Sequence, residues 1–136
     1  MTPLKDKIKL IQRRKLSDSR GYFLKVLTGK EEKLPSYTGE IYITSALPAE
    51  AKGGHYHPKA NEWFTLLQGE CELKVEDVVS KDKLSIRLSA DDPQTIYIPN
   101  NVAHVFINTA LESDFLLLAY TDQLYDPSDT IMYNIY

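Results

Sequence analysis

The chain has 136 residues, of which 43 % are hydrophobic and 26 % are charged, proportions that are typical of one globular domain. Its formal net charge of −3 gives no basic footprint for nucleic acid, so we expect no such partner. A lone cysteine, Cys71, excludes an internal disulfide, and the sequence contains neither a signal peptide nor an apolar run that could cross a bilayer, so we expect a soluble cytoplasmic protein without a membrane partner.

The first third of the chain predicts short strands separated by turns. Residues 8–12 alternate weakly in polarity and predict an edge strand, and residues 16–19 predict the turn that follows. Residues 20–27 predict a strand that begins at a glycine. Residues 39–46 predict a half-buried strand, because Ile41 and Ile43 alternate with Tyr42 and Thr44.

The remainder of the chain continues in the same way. Residues 63–67 and 70–75 flank Gly69 and predict a hairpin, and residues 77–90 predict a second hairpin with a polar tip. Further strands are predicted at 94–98, 104–108 and 114–121, before an irregular or briefly helical tail. About ten short strands without a helical period predict an all-β sandwich or barrel. We expect a single domain over residues 1–136 with its core at about 20–122.

All three histidines of the chain fall into two short segments. His55 and His57 are two residues apart on a predicted strand, so their side chains point to the same face. Pro58 interrupts the strand, and the bend after it can bring Glu62 back to the same point. Two imidazoles and a carboxylate that converge at about 2.0–2.2 Å suit a borderline divalent metal ion, and a metal-free pocket is the alternative. We expect His104 as a fourth ligand.

These segments resemble the two signature motifs of the cupin superfamily. They read GGHYHPKANEWFTLLQG over residues 53–69 and PNNVAHVFIN over residues 99–108. The resemblance implies a jelly-roll β-barrel whose inward-pointing histidines and glutamate bind a divalent metal, most often zinc, with iron, nickel and manganese as alternatives. Ala49 and Asn101 stand where the family often has glycine. Asparagine tolerates a left-handed backbone, so the second replacement should cost little.

Three further segments resemble the cupins that act on nucleotide sugars. Arg20-Gly21-Tyr22-Phe23 is similar to the entry strand of 4-dehydrorhamnose 3,5-epimerases and 3,4-ketoisomerases. Two other segments of these enzymes resemble Gly54-His55-Tyr56 and Tyr97-Ile98-Pro99 of this chain. The tail, residues 124–130, resembles the ending of the zinc cupin domain at the C-terminus of capsular polysaccharide biosynthesis enzymes. That domain is the nearest relative that the motifs indicate.

The resemblance implies a metal-dependent epimerase or ketoisomerase in surface polysaccharide biosynthesis. Its substrate would be a nucleotide-linked 4-keto sugar, and the metal would stabilise an enolate after a proton leaves the neighbouring carbon. Two alternatives stay open. One is a redox cupin of the dioxygenase or oxidase type with the same three histidines and glutamate, and the other is a non-catalytic sugar-binding cupin.

Proton transfer then falls to other side chains, because a histidine that ligates a metal cannot also shuttle protons. The candidate catalytic residues are Tyr56, Lys59, Tyr97 and Tyr120, and a water molecule is a further possibility. The candidate substrate-binding residues are Arg20, Lys25, Tyr42 and Asn108. We expect Tyr42, Tyr97 and Tyr120 to face into the barrel, Trp63 to pack on the outer face of the sheet, and two copies of the chain to form a homodimer.

Overall fold

The computed structural model describes residues 2–35 and 39–135. These residues form one helical turn, α1, at Leu4–Lys7 and twelve strands. The strands are β1 Lys9–Gln12, β2 Lys15–Asp18, β3 Gly21–Leu24, β4 Glu40–Ala46, β5 Ala51–Tyr56, β6 Glu62–Gln68, β7 Glu70–Asp77, β8 Lys83–Ser89, β9 Gln94–Ile98, β10 Val102–Asn108, β11 Phe115–Thr121 and β12 Ile131–Met132. No helix within this part of the chain has the length and apolarity needed to cross a bilayer.

Two antiparallel five-stranded sheets face each other around one apolar core. The first sheet has the order β1-β9-β6-β11-β4 and the second has the order β12-β5-β10-β7-β8. Alternate residues of each strand point inward, and Phe64 of the first sheet meets Phe106 of the second with ring centroids 4.9 Å apart. The predicted all-β jelly-roll barrel is therefore confirmed.

The chain changes sheets at Gly69. Strands β6 and β7 flank this glycine but belong to different sheets, so the predicted hairpin between them is wrong. Gly69 has φ +86°, and an added Cβ would lie 2.9 Å from the carbonyl oxygen of Asp114. The glycine is therefore needed for a close approach of two backbones at a corner of the barrel.

The N-terminal segments differ in part from the prediction. Strand β1 pairs with β9 at the edge of the first sheet, as expected for an edge strand. Residues 16–19, predicted to be a turn, are mostly strand instead, because β2 pairs with β3 as a separate two-stranded ribbon. The ribbon exposes Leu16, Tyr22 and Phe23 to solvent.

Strand β4 carries its apolar residues on the outside of the barrel. Ile41 and Ile43 are 64 % and 60 % exposed, whereas Tyr42 between them points into the barrel interior. The alternation in the sequence correctly predicts a strand. The strand departs from the usual rule that the apolar side is buried. The polar side of β4 is turned inward because it faces a cavity.

The tail is more ordered than its sequence predicts. It contains a 3-10 turn at Pro127–Asp129, followed by β12, which pairs with β5 through Ile131 opposite Tyr56 and Met132 opposite His55. Strand β12 was not predicted, because two residues carry no periodic signal. The pairing attaches the tail directly to the strand that bears the first histidine.

Candidate metal centre

Three imidazoles converge between the sheets. His55 lies on β5 opposite His104 of β10, and His57 follows at the end of β5. One ring nitrogen of each histidine lies within 4.8 Å of those of the other two, a spacing that could hold a metal ion. The two-residue spacing places His55 and His57 on one face of the strand, as the sequence predicted.

The carboxylate of Glu62 completes the group from the opposite sheet. Its Oε1 lies 2.9 Å from Nε2 of His57 and 3.6 Å from Nε2 of His104. Glu62 Oε1 and His57 Nε2 are both buried, yet neither has a partner in hydrogen-bond geometry. Buried polar atoms are rarely left without a partner, and a cation between these atoms would satisfy both. The donor set therefore fits a divalent metal such as zinc.

A second layer of hydrogen bonds orients the ligand atoms toward that point. Nδ1 of His57 donates to the carbonyl oxygen of Asp129 at 2.9 Å, and Nδ1 of His104 faces the carbonyl oxygen of Val102 at 3.3 Å. Each contact leaves Nε2 with its lone pair directed at the centre. The hydroxyl of Tyr42 donates to Oε2 of Glu62 at 2.9 Å, which leaves Oε1 for the ion. Such outer partners are typical of metal sites in proteins.

The protonation states of His55, His104 and Glu62 favour the same role. Burial lowers the pKa of His55, and it lowers the pKa of His104 to about 4. Burial also acts to lower the pKa of His57, but the Glu62 carboxylate outweighs it and the net pKa is raised. Burial would raise the pKa of Glu62, yet the neighbouring imidazoles outweigh burial, so the group stays ionised. The ionised Glu62 and the neutral His55 and His104 are the forms that bind metal, whereas His57 would have to release its proton to a bound ion.

Two aspartates that follow β11 in the chain, Asp122 and Asp129, hold the bend that returns the chain to Glu62. Asp129 accepts hydrogen bonds from the backbone N–H groups of Lys59 and Ala60 at 2.8 and 3.1 Å. Asp122 accepts from the backbone N–H and the side-chain amide of Asn61, both at 2.9 Å. Neither aspartate is among the residues predicted from the sequence, although the Asp-Pro-Ser-Asp segment of the tail carries the signal that points to Asp129.

An open cavity of about 420 Å³ leads to the histidines. Its lining includes the acidic residues Glu40 and Asp126 and the polar residues Tyr42, Gln123, Tyr125 and Thr130, beside apolar surface. Within the described part of the chain, no lysine or arginine borders this cavity. A second cavity, of about 300 Å³, also reaches Tyr42 and His55 and has Lys52 on its wall. Lys52 is not among the residues predicted from the sequence.

Tyr97 and Tyr120 lie on the opposite side of the sheet from the metal centre. They pack with Trp63 on the outer face, with ring centroids 4.8 and 5.4 Å from the indole, under Leu27 and Leu34. The expectation that these two tyrosines face into the barrel is therefore wrong. Ile96 and Ala119, their neighbours along the strands, occupy the inward positions. The outer-face position expected for Trp63 agrees with the structure.

The other selected residues also lie away from the cavity, except Tyr42. Tyr56 faces away from the histidines and packs against Tyr133, and Lys59 is exposed on the bend. Arg20 is exposed on the two-stranded ribbon, where it pairs with Asp18 at 2.7 Å, and Lys25 is exposed after β3.

Asn108 is buried, and its side chain is committed to a turn. The amide donates to the carbonyl oxygens of Ala46 and Ser113 at 3.0 and 2.8 Å, and its oxygen accepts from the N–H of Ala110 at 2.9 Å. These contacts use both amide hydrogens of Asn108, and the residue borders neither cavity at the histidines.

Solved structures with the same fold include three proteins of known description. A dTDP sugar isomerase from Desulfovibrio desulfuricans G20 has a TM-score of 0.83 at 21 % identity, with 92 % of this chain and 82 % of that chain covered. A dTDP-6-deoxy-D-glucose-3,5-epimerase from Legionella pneumophila, in complex with dTDP-4-keto-L-rhamnose, has a TM-score of 0.80 at 18 % identity, with 96 % and 74 % covered. The capsular polysaccharide assembling protein CapF from Staphylococcus aureus has a TM-score of 0.66 at 21 % identity, with 90 % and 33 % covered.

Sequence comparison identifies the family. Among curated protein sequences, none matches the chain significantly. The family model for the polysaccharide biosynthesis C-terminal domain matches residues 16–133, which is most of the chain. The chain therefore belongs to the polysaccharide biosynthesis C-terminal domain family and has the cupin jelly-roll fold.

Proposed function

We propose that this chain is a metal-dependent epimerase or ketoisomerase that acts on a nucleotide-linked 4-keto sugar in surface polysaccharide biosynthesis. The observation that carries the proposal is the convergence of three imidazoles and the Glu62 carboxylate at the end of an open cavity. Proteins of the same fold include a dTDP sugar isomerase and an epimerase in complex with a dTDP-linked 4-keto sugar. We propose zinc as the ion, and iron, nickel or manganese would suit the same donors.

The residues that would hold the ion are His55, His57, His104 and Glu62. When bound, a divalent cation supplies a Lewis acid that stabilises negative charge on the oxygen next to a carbon that has lost its proton. The protein must then supply a base that removes the proton and an acid that returns it on the other face or at the neighbouring carbon. The base and the acid both have to reach the substrate, so we look for them among the side chains that line the cavity.

Strand β4 offers one acceptor and one donor at the cavity. Glu40 and Tyr42 are two residues apart, so their side chains share the inward face, and both line the cavity. Burial and the nearby Glu62 carboxylate raise the pKa of Tyr42, so its phenol keeps its proton at neutral pH and acts as a donor. We therefore assign proton return to Tyr42 and proton removal to the Glu40 carboxylate. These residues replace Tyr56, Lys59, Tyr97 and Tyr120 as our catalytic candidates.

The phosphates of a diphosphate-linked substrate need a positively charged side chain beside them. Among the described residues, Lys52 supplies such a charge at the cavities around the metal centre. Glu40 and Asp126 border the larger cavity and would repel phosphate oxygens. Lys52 borders the smaller cavity, which meets the larger one at Tyr42 and His55. We propose that the sugar ring occupies the acidic side and that the phosphates lie toward Lys52.

A redox cupin is the second candidate function. The observation that favours it is the apolar wall beside His104, which is formed by Phe64, Phe106 and Leu117. An apolar surrounding suits chemistry on dioxygen better than binding of a charged nucleotide. The two functions differ in what they consume, because an epimerase needs no oxygen.

We also propose that the chain is one domain over residues 1–136 and that it works as a homodimer. An isolated two-stranded ribbon is marginally stable in water, and the ribbon of β2 and β3 exposes Leu16, Tyr22 and Phe23. A second copy would cover these side chains. Light scattering should give twice the mass of 15.5 kDa. A measured mass equal to that of one chain would refute the proposed homodimer.

Isotope exchange tests the proposed reaction. The zinc-loaded protein is incubated in heavy water with a panel of nucleotide-linked 4-keto sugars, and NMR follows the hydrogens next to the ketone. We expect deuterium at one of these carbons with the wild type and a loss of at least 100-fold with Glu40→Gln. Lack of exchange across the panel, together with oxygen uptake by the iron-loaded protein, would favour the redox function instead.

A further inference from the structure

The three oxygen atoms of Asp129 all contact the segment around His57. The backbone carbonyl accepts from Nδ1 of His57 at 2.9 Å, and the two carboxylate oxygens accept from the N–H groups of Lys59 and Ala60 at 2.8 and 3.1 Å. Asp129 is 7 % exposed, so these hydrogen bonds are shielded from water. One residue of the tail thus holds a histidine ligand and the start of the bend that leads to Glu62.

Asp122 provides a comparison within the same molecule. It is 8 % exposed and holds the same bend one residue later, through two hydrogen bonds to Asn61. No hydrogen bond of Asp122 reaches a histidine in the structure as described. The two aspartates therefore share a structural role in the bend, and only Asp129 has a direct contact with the metal centre.

The tail has its own attachments beyond Asp129. The side chain of Asp126 caps the 3-10 turn by accepting from the N–H and hydroxyl of Ser128 at 3.0 and 2.8 Å. Further along, the N–H of Tyr133 donates to the carbonyl oxygen of Gly54 at 2.9 Å, and its hydroxyl donates to Glu76. The first two contacts hold the 3-10 turn together, and those of Tyr133 fix the end of the segment on β5 and β7, so Asp129 lies between an ordered turn and a docked strand.

We propose that Asp129 is a positioning residue that couples docking of the C-terminal segment, residues 124–133, to metal binding by His57. The proposal rests on the metal site of the proposed function and not on its substrate. When the segment is docked, the Asp129 carbonyl holds His57 in the tautomer whose Nε2 can ligate, and the carboxylate sets the path to Glu62. By thermodynamic reciprocity, a bound metal must stabilise the docked segment to the same extent.

Asp129→Asn is the sharpest variant. The amide keeps the size of the side chain, but its NH₂ group cannot accept from a backbone N–H, so at least one of the two hydrogen bonds is lost and two donors face each other. The segment must move, and the carbonyl moves with it. Loss of an outer partner of a ligand weakens metal affinity by about 10- to 100-fold.

The test measures metal affinity without any sugar. Metal-free full-length wild type, Asp129→Asn and Asp122→Asn are titrated with Zn²⁺ against a chromophoric chelator, and Co²⁺ absorption reports the ligand geometry. We expect Asp129→Asn to bind Zn²⁺ about 10- to 100-fold more weakly and to change the Co²⁺ spectrum. Asp122→Asn should lose thermal stability but keep its Zn²⁺ affinity within about threefold and its Co²⁺ spectrum unchanged.

Two results would overturn the proposal, namely unchanged Zn²⁺ affinity in Asp129→Asn and equal weakening in both variants. If the wild type binds neither Zn²⁺ nor Co²⁺, both the role of Asp129 and the metal-dependent function are overturned. If it binds metal but exchanges no hydrogen on the sugar, only the proposed function fails and the role of Asp129 stands. Hydrogen exchange of the wild type covers the case in which Asp129→Asn does not fold. We expect residues 124–133 to exchange more slowly with Zn²⁺ than without, and no difference would refute the coupling.

Discussion

Tyr42 of β4 reaches across β11 to donate a hydrogen bond of 2.9 Å to Glu62 at the start of β6. The strand between them makes this possible, because Tyr42 stands opposite Ala119, which is fully buried and has only a methyl side chain. A larger residue there would occupy the space that the phenol ring crosses. The geometry of the candidate metal centre thus depends on a small residue in a strand that contributes none of the candidate ligands.

Tyr42→Phe should separate the two roles of the phenol. Removing the hydroxyl leaves Oε2 of Glu62 buried without a donor, which should weaken Zn²⁺ affinity by about tenfold. If Tyr42 also returns the proton, deuterium exchange at saturating Zn²⁺ should fall by a further 100-fold or more. Chelator competition and NMR exchange measure the two effects. Full exchange in a zinc-saturated Tyr42→Phe enzyme would show that another group returns the proton.

His104→Ala should abolish stoichiometric metal binding. The wild type should carry about one ion per chain, and the variant should carry almost none, because the most buried imidazole of the group is removed. Elemental analysis after dialysis measures both. Cys71→Ala is the control, since it removes a buried thiol on β7 that stands opposite Asn108 of β10, whereas His104 stands opposite Val75. Equal metal content in wild type and His104→Ala would place any bound ion elsewhere.

The convergence of the candidate metal ligands was predictable to the extent that it depends on local spacing. His55 and His57 are two apart on a strand and Glu62 follows a proline bend, so neighbouring residues set much of their geometry. Asp129 and Tyr42 could not be ranked in the same way. Their contacts join residues 72 and 20 positions apart, and only the strand register determines such contacts.

The faces of the strands were harder to predict than the strands themselves. Tyr97 lies between Ile96 and Ile98, and Tyr120 follows Ala119. Strand alternation therefore predicts that each tyrosine faces the opposite side of the sheet from these neighbours. It does not predict which of the two sides is the core. The first sheet has apolar residues on both faces, because residues 26–35 cover its outer side with Leu27 and Leu34. The local sequence likewise does not predict that β6 pairs with β9 and β11 rather than with β7.

Lys52→Met should weaken substrate binding without affecting the metal. If the phosphates of the substrate lie beside Lys52, loss of the charge should raise the KM for the nucleotide sugar about tenfold or more and leave Zn²⁺ affinity unchanged. Steady-state kinetics and chelator competition measure these quantities. Lys74→Met is the matched control, because Lys74 lies on β7 near Glu72 and borders neither cavity. The same KM in wild type and Lys52→Met would place the phosphates elsewhere.

Ala49→Gly should stabilise the protein slightly. Ala49 has φ +66°, a left-handed conformation that costs an L-residue about 1–2 kcal/mol, and glycine avoids this cost. The greater freedom of glycine in the unfolded chain offsets about 0.5–1 kcal/mol, so we expect a net gain of about 0.5 kcal/mol in the free energy of unfolding. Ala51→Gly, in β5, should instead lose about 0.5–1 kcal/mol. Urea denaturation compares the two, and a loss in both would argue against strain at Ala49.

Glu31 should make the stability of the protein depend on pH. Its carboxylate pairs with Arg13 and accepts from the N–H groups of Thr28 and Gly29, which holds the covering residues 26–35 on the outer face of the sheet. Burial acts to raise the pKa of Glu31, but these partners outweigh it and lower the pKa from 4.5 to about 2. The difference corresponds to about 3 kcal/mol of unfolding free energy.

Because the pKa is lower in the folded protein, this contribution is fully present above pH ~4.5 and is lost as the pH falls toward 2. Glu31→Gln should therefore cost about 3 kcal/mol at pH 6, and the deficit should shrink as the pH is lowered to about 2.5. Urea unfolding at both pH values measures the difference. Glu32→Gln, one residue along and exposed, should change stability by less than about 0.5 kcal/mol at either pH. A deficit that stays constant with pH would mean that the Glu31 carboxylate does not titrate differently in the folded and unfolded chain.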